Sequence, residues 1–393
     1  MRSFKIMLVV ALSIFFVILT TPVLSQAQIT IGVDLSTTGP NAAIGIPQKN
    51  GIMLMAKPVI AGLKVNWVYL DDGSDPTLAV QNVKRMISEN NVDVVLGPGG
   101  TPASLAVQEA LMEAKTPDIA FGSVSTVVFP VEGKKRWIFK TVANDDVFVQ
   151  AMVHHMLTVT HVHTLGIIAV NDSFGESWIK ATQQVATAAG IKIVGIERYE
   201  RNDNSTIPQA LKIMRNNPDA VLIAANNTAA VTPHLSLIDR GYKGKIYQSG
   251  GSVNPEFLRL GGKAVEGSYN EQSPFVIADQ LPDGYPIKKP ALEFLKQYAA
   301  KYGPPASYSA YGGDAVKLLE AAIPVALKKG KPGTVQFREA LRDALENSRN
   351  VVGLSAVFTM SPTDHTGINE LGMCVMKVEH GQWKLEQIAA FKK

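Results

Sequence analysis

Two neighbouring segments of the chain each contain a short apolar run that is followed by glycine and small hydroxyl residues. The first run lies at 92–96 and is followed by Thr101, and the second lies at 118–121 and is followed by Gly122, Ser123 and Ser125. Each short apolar run predicts a buried parallel strand. Because open α/β sheets bind ligands beyond the carboxyl ends of their strands, we expect these residues at one edge of a ligand cleft. Their hydroxyl and backbone N–H groups donate hydrogen bonds to an anion such as a carboxylate, and no catalytic side chain stands among them.

Thr101 also marks the start of a helix. The sequence predicts Thr101 as the N-cap, Pro102 as the first helical residue and Ser104 in the first turn. Unpaired N–H groups in that turn, with the helix dipole behind them, favour an anion. The alternative is that Thr101 only caps the helix and that Ser123 and Ser125 only satisfy a turn.

The N-terminus predicts export. Arg2 and Lys5 precede an apolar stretch over 6–19, and small residues at 25 and 27 fit a cleavage site. We therefore expect a secretory signal peptide over 1–27 and an exported, soluble mature chain from residue 28. A membrane anchor is disfavoured, because polar residues and a proline close the stretch before roughly 18 apolar residues have accumulated.

Composition narrows the functional classes further. Without Arg2 and Lys5 the chain keeps 36 of its 38 basic residues against 34 acidic residues, and no Lys/Arg-rich run indicates a nucleic-acid partner. A mature chain of this length predicts two lobes, each able to bury a core. Cys374 is the only cysteine, so no internal disulfide can form, and we expect it in a buried strand.

Strands and helices alternate along the chain, which predicts parallel sheets covered by helices on both faces. Besides the two runs above, we predict strands at 29–34, 64–70, 164–170, 191–199, 220–224 and 245–248 and a final antiparallel pair at 373–379 and 383–388. We predict helices at 47–60, 77–89, 208–215, 291–302, 311–328 and 335–347 and one that ends at 189.

The series splits near 140–146 and is interrupted by a loop near 271–275. The last three helices are expected to return to the first lobe, and the final strand pair is expected to complete the second. The predicted fold class is α/β, with two Rossmann-like lobes joined by a multi-strand hinge. Lobe 1 would comprise 28–143 plus 275–357, and lobe 2 would comprise 144–274 plus 358–393.

The order and spacing of several segments resemble the type I periplasmic solute-binding proteins, in the leucine/isoleucine/valine-binding branch that serves ABC importers. The resemblance is carried by 29–33, 38–40, 71–76, 94–98 and Tyr311 with Asp314 and Ala315. It implies a monomer in the periplasm that traps a ligand between its lobes and then docks on a membrane permease. It implies neither an enzyme nor a cofactor.

The resemblance also implies which residues contact the ligand. A hydroxyl at the first strand end binds the ligand carboxylate, and Thr101 matches that position. A backbone group and a second hydroxyl come from the next strand end, where Gly122, Ser123 and Ser125 lie. Phe174 matches an aromatic residue after the first strand of the second lobe.

Other positions depart from the amino-acid-binding pattern. Asn226 and Ile44 stand where the family has aromatic residues, and Gly250 and Gly251 stand where an acid pairs with the ligand's α-ammonium. Because a desolvated ammonium without a counter-charge is costly, we expect an aromatic or other apolar organic acid without an amine, such as a benzoate, phenylacetate or cinnamate derivative. The two glycines would leave room for its bulk, and Asn226 would bond a neutral polar substituent.

Alternatives remain open at this point. Asp172 or Glu271 could replace the missing acid, and the ligand would then be a branched-chain or other neutral amino acid. A second alternative is a component of a ligand-sensing receptor, because such components have the same fold. A third alternative is an exported α/β hydrolase, which would need a Gly-x-Ser-x-Gly nucleophile elbow, and the sequence contains none.

Four histidines fall within ten residues and raise the question of a metal site: His154, His155, His161 and His163. Adjacent residues on a helix point about 100° apart, and no cysteine or acid completes a metal-ligand spacing. We therefore expect a solvated surface cluster and no metal.

Overall fold

The structure is a computed structural model that describes residues 28–368 and 372–388. The predicted signal peptide at 1–27 lies outside the described residues. One sheet contains six strands: β1 (Ile29–Leu35), β2 (Val59–Ile60), β3 (Leu63–Asp71), β4 (Val94–Leu96), β5 (Asp118–Ala120) and β6 (Ile138–Lys140). Their order is β2-β3-β1-β4-β5-β6. All pairs in it are parallel except the β2–β3 hairpin.

A second sheet contains seven strands: β7 (Thr164–Val170), β8 (Lys192–Tyr199), β9 (Ala220–Ala224), β10 (Lys245–Gln248), β11 (Tyr269–Gln272), β14 (Cys374–Glu379) and β15 (Gln382–Ile388). Their order is β15-β14-β11-β10-β9-β7-β8. A small hairpin pairs β12 (Val351–Val352) with β13 (Val357–Phe358). The final pair is antiparallel and joins the sheet beside β11, as expected.

Helices separate most of these strands. The described residues contain α1 (Ala42–Met55), α2 (Pro76–Asn90), α3 (Thr101–Ala106), α4 (Gln108–Glu113), α5 (Asp145–His155), α6 (Ser173–Ala188), α7 (Ile207–Met214), α8 (Asn227–Asp239), α9 (Pro255–Gly261), α10 (Lys288–Tyr302), α11 (Ser307–Ala326) and α12 (Val335–Glu346). None of these helices has both the length and the apolar character needed to span a bilayer.

The central strands are buried along their whole length because helices cover both faces of each sheet. Every residue of β1 and of β9 is buried, which is typical of parallel strands inside an α/β protein. Cys374 is buried in β14, as expected, and its Sγ donates to the carbonyl of Gln272 at 3.2 Å. The α/β prediction with two parallel-dominated sheets is confirmed.

Helix α11 returns to the first sheet and packs on α1. Glycines allow the close approach: a Cβ at Gly51 would lie 2.0 Å from the Ser309 carbonyl oxygen, and one at Gly312 would lie 2.3 Å from that of Gln48. The chain therefore passes between the two halves after β6, after β11 and again before β14. The lobe boundaries drawn from the sequence remain a prediction.

Two predicted elements differ from the structure. The helix expected at 47–60 is α1, which begins at Ala42 because the Asn41 carbonyl accepts from the N–H groups of Ile44 and Gly45. Pro47 therefore lies inside α1 rather than at its start. The interruption expected near 271–275 begins after a strand, β11, whose polar sequence gave no apolar run.

Candidate ligand-binding cleft

The carboxyl ends of strands from both sheets face one cavity, which together with its solvent-open mouth contains about 620 Å³ of empty space. The first sheet supplies residues that follow β1, β4, β5 and β6: Asn41, Ile44, Gly99, Gly100, Thr101, Pro102, Phe121, Gly122, Ser123 and Val142. The second supplies residues that end or follow β7, β8, β9, β10 and β11: Asp172, Phe174, Trp178, Arg201, Asn226, Gly250, Gly251 and Gln272. Phe148 of α5 and Tyr308 and Tyr311 of α11 complete the wall.

Eight of the nine residues predicted from the sequence line this cavity: Ile44, Thr101, Gly122, Ser123, Phe174, Asn226, Gly250 and Gly251. Ser125 does not, and its expected place in the cleft is corrected. It begins a 3₁₀ turn, where its N–H donates to Asp145 Oδ1 at 2.9 Å. That the other eight contact a ligand remains a prediction.

Thr101 is buried at the start of α3, but it is not the cap. The N-cap is Gly100, and Thr101 is the first helical residue. Ser104 turns its hydroxyl inward and donates to the Pro98 carbonyl at 3.1 Å. Within the described part of the chain the Thr101 hydroxyl has no hydrogen-bond partner, so it is available to a ligand.

The buried side chain of Lys140 holds the loop that carries Ser123 by hydrogen bonds to its backbone. The Lys140 ammonium is completely buried and donates to the carbonyls of Ser123 at 3.0 Å and Val124 at 3.1 Å. Burial lowers the pKa of Lys140 to about 7. Ser123 itself keeps a hydroxyl that no other described residue bonds. The first-sheet wall therefore offers two uncommitted hydroxyls.

The second-sheet wall carries one ion pair, between Asp172 and Arg201. Asp172 Oδ1 accepts from the N–H groups of Phe174 at 2.9 Å and Gly175 at 3.1 Å, which caps α6. Asp172 Oδ2 accepts from Arg201 Nε at 3.2 Å and from Nη2. Arg201 Nη1 donates to Asn226 Oδ1. Asp172 lines the cavity, but its negative charge is already paired.

Glu271 does not supply a free carboxylate either. It is fully buried in β11, is not part of the cavity wall, and neither carboxyl oxygen has a hydrogen-bond partner among the described residues. Burial raises the pKa of Glu271 well above its ordinary value of 4.5. Burial therefore favours the protonated, neutral form of the Glu271 side chain.

Six aromatic side chains give the cavity its apolar character: Phe121, Phe148, Phe174, Trp178, Tyr308 and Tyr311. The Trp178 ring packs against Phe148 and Phe174, each at 5.9 Å between ring centroids. Tyr308 donates to the carbonyl of Gly251 and Tyr311 to Gln272 Oε1, so both hydroxyls are fixed. Such rings bury a large apolar surface against a ligand.

Gly250 and Gly251 do not leave the room expected for a bulky ligand. A Cβ at Gly251 would lie 2.4 Å from Asn226 Cβ, and one at Gly250 would lie 3.0 Å from the Glu271 carbonyl oxygen. A side chain at position 251 is therefore excluded and one at position 250 would be crowded, because neighbouring strand ends approach closely at this point. The space for a ligand lies elsewhere in the cavity.

Several wall residues were not predicted from the sequence. Arg201 lies two residues after a predicted strand, and that position near the strand end was the available signal. The tyrosines of α11 and Phe148 of α5 come from distant helices, for which the sequence pattern held no comparable signal.

The four clustered histidines do not converge. His155 is buried, contrary to the expected surface cluster, with Nδ1 2.9 Å from the Tyr247 hydroxyl. His161 and His163 are exposed, and His154 is half-buried. In 28–368 and 372–388 no three His, Cys, Asp or Glu side chains are grouped to hold a metal ion.

Comparisons with known proteins agree with this architecture. A family model described as periplasmic binding protein matches residues 28–382. The chain is 36% identical to a solved extracellular ligand-binding receptor from Rhodopseudomonas palustris HaA2, with a TM-score of 0.88 over 92% of this chain and 100% of that one. It is 23% identical to the Leu/Ile/Val-binding protein BraC3 of Rhizobium johnstonii, over 84% of this chain and 86% of the relative. A leucine-binding protein of Thermotoga maritima shares the fold at 23% identity and a TM-score of 0.81, covering 92% of this chain and 98% of that chain.

Proposed function

The chain belongs to the periplasmic binding protein family, and from that premise we propose that it captures a small carboxylate solute between its lobes in the periplasm. Delivery to the membrane permease of an ABC importer would follow. The relatives named above are binding proteins and a ligand-binding receptor, not enzymes. A cleft bounded by two sheets also supports capture, because lobes that close on a ligand remove it from water.

The first-sheet wall supports recognition of the carboxylate. The hydroxyls of Thr101 and Ser123 line the cavity and have no partner among the described residues. Hydrogen bonds to a charged acceptor are about twice as strong as neutral ones. We propose that these two groups bind the ligand carboxylate. Lys140 would fix the loop that carries Ser123 by its hydrogen bond to the Ser123 carbonyl.

For the rest of the ligand, we propose an aromatic or other apolar organic acid without an α-amine. One observation carries this proposal: the only carboxylate on the described cavity wall is Asp172, and Arg201 already neutralises it. An ammonium enclosed there would lose its water without gaining a free counter-charge, which costs several kcal/mol. The aromatic wall around Trp178 suits an apolar ligand.

A branched-chain or other neutral amino acid is the competing candidate. The names of the curated relatives favour it over an aromatic acid, since one is a Leu/Ile/Val-binding protein and another, from Pseudomonas aeruginosa, is an amino acid binding protein. Both are 23% identical to this chain. The two candidates share the carboxylate and differ in the amine.

Native mass spectrometry of protein purified without refolding would identify a solute that stays bound. A thermal-shift panel would follow, with acids paired to the amino acids that differ from them only by the amine: 4-methylpentanoate with leucine and 3-phenylpropanoate with phenylalanine. Ligand at ~100 times its Kd stabilises a protein by about 2.7 kcal/mol, which is easily seen. The proposal expects shifts from the acids, whereas shifts from the amino acids alone would establish the competing candidate.

A further inference from the structure

Arg201 has hydrogen-bonding capacity that the described residues do not use. A guanidinium carries five N–H groups. Asp172 accepts from Nε and from one Nη2 hydrogen, and Asn226 accepts from one Nη1 hydrogen. Two N–H groups are left without a partner in the described part of the chain, on a side chain that lines the cavity and is 21% exposed.

The guanidinium is also held in one orientation before any ligand arrives. Arg201 follows β8, Asp172 follows β7 and Asn226 follows β9, and these three strands are neighbours in the order β9-β7-β8. The Asp172 carboxylate and the Asn226 amide oxygen accept hydrogen bonds from two different edges of the planar Arg201 guanidinium. A donor fixed in this way binds an acceptor with little loss of side-chain entropy.

The charge of the pair decides which acceptor fits. Asp172 neutralises Arg201, so a second carboxylate on the ligand would gain little attraction and would meet the negative charge of Asp172. A neutral oxygen, such as a hydroxyl, ether or carbonyl group, accepts from the free N–H groups without that penalty. The carboxylate-binding hydroxyls of Thr101 and Ser123 lie on the opposite, first-sheet wall.

We propose that Arg201 is the specificity-determining residue of this cleft: it selects ligands with a neutral oxygen acceptor at the end remote from the carboxylate. By occupying Asp172, it also excludes ligands with an ammonium group. This inference rests on the proposed capture of a carboxylate solute and adds the chemistry of the ligand's second end.

Isothermal titration calorimetry tests the selection with two acids of similar size, 3-(4-hydroxyphenyl)propanoate and 3-(4-methylphenyl)propanoate. A hydrogen bond to a charged group is worth roughly a tenfold change in Kd or more. We expect the wild-type protein to prefer the hydroxyl ligand by about that factor and Arg201→Met to lose the preference. Arg198→Met is the matched control, because Arg198 lies on β8 in an exposed pair with Glu176. It should keep the preference.

Phenylalanine tests the exclusion of ammonium. Arg201→Met leaves the Asp172 carboxylate unpaired, so this variant should bind phenylalanine more tightly than the wild type does. The double variant Asp172→Asn/Arg201→Met removes that charge while an asparagine still caps α6, and it should not gain phenylalanine binding. If the unpaired carboxylate prevents Arg201→Met from folding, the double variant can replace it in the selection experiment, because the double variant should also lose the preference for the hydroxyl ligand.

An unchanged hydroxyl preference in both variants that lack Arg201 would overturn the inference. Failure of the proposed ligand class is a separate result: the wild type would bind phenylalanine more tightly than 3-phenylpropanoate. The role of Arg201 would then be measured with tyrosine against 4-methylphenylalanine in the same variants. A wild type that binds no member of either series would contradict both proposals.

Discussion

Replacing Glu271 by glutamine should stabilise the protein, and the stabilisation should grow as the pH rises. The folded chain buries Glu271 completely without a hydrogen-bond partner among the described residues, and burial raises its pKa well above 4.5. The unfolded chain ionises this carboxyl near its ordinary pKa. The folded state therefore binds more protons, so stability is complete below the unfolded pKa and is lost as the pH rises toward the folded pKa.

The size of the effect follows from that difference in protonation. Each pH unit between the two pKa values costs about 1.36 kcal/mol, so the free energy of unfolding of the wild type should fall relative to that of Glu271→Gln as the pH is raised from 5.5 to 7.5. Urea unfolding followed by circular dichroism at the two pH values measures the free energy of unfolding. Glu293→Gln is the control, because Glu293 is exposed on α10, and its difference from wild type should not change with pH.

A pH-independent difference for Glu271→Gln would contradict the raised pKa of this buried carboxyl. It would mean that Glu271 is ionised and paired in the folded protein.

Three further outcomes follow from the structure. Thr101→Val should weaken carboxylate binding by roughly tenfold in calorimetry at unchanged melting temperature, whereas Thr187→Val, at an exposed site on α6, should not; equal affinity would leave Thr101 without a role in binding. Phe174→Ala removes a buried ring that packs on Trp178, so it should lower both aromatic-acid affinity and, by about 3–5 kcal/mol, the free energy of urea unfolding; full affinity would contradict the aromatic wall. Cys374 is buried and burial raises its pKa, so a thiol reagent should label it only after denaturation, and rapid labelling of the native protein would contradict its placement.

The sequence predicted the buried strands well, because their apolar runs are bounded by polar residues. β7 and β9 occupy the predicted ranges, Thr164–Val170 and Ala220–Ala224. β11 could not be found in this way, since its sequence is Tyr-Asn-Glu-Gln. Its pairing depends on neighbours distant in sequence, and Asn270 Nδ2 donates to the Ser249 carbonyl at 3.0 Å.

The site was predictable where topology alone fixes a position. Thr101, Ser123 and Phe174 follow strands that all end at one edge of their sheets, so their approach to one cavity could be expected. Whether each side chain is free, already paired or crowded by a neighbour could not be predicted from the sequence. Asp172 is paired only because Arg201 lies on the neighbouring strand end, and Gly251 is required only because Asn226 crowds it. Those facts depend on three-dimensional packing.

Calorimetric titration of unfolded and refolded, ligand-free protein would show whether the cleft has a counter-charge for an amine, with 3-phenylpropanoate against phenylalanine and 4-methylpentanoate against leucine. Each pair differs only in the α-amine that the cleft would have to neutralise. Because Asp172 is paired with Arg201, we expect at least one acid to bind about 100-fold more tightly than its amino acid, a difference of about 2.7 kcal/mol. Leucine or phenylalanine binding as tightly as its acid, or more tightly, would mean that the cleft neutralises an α-ammonium.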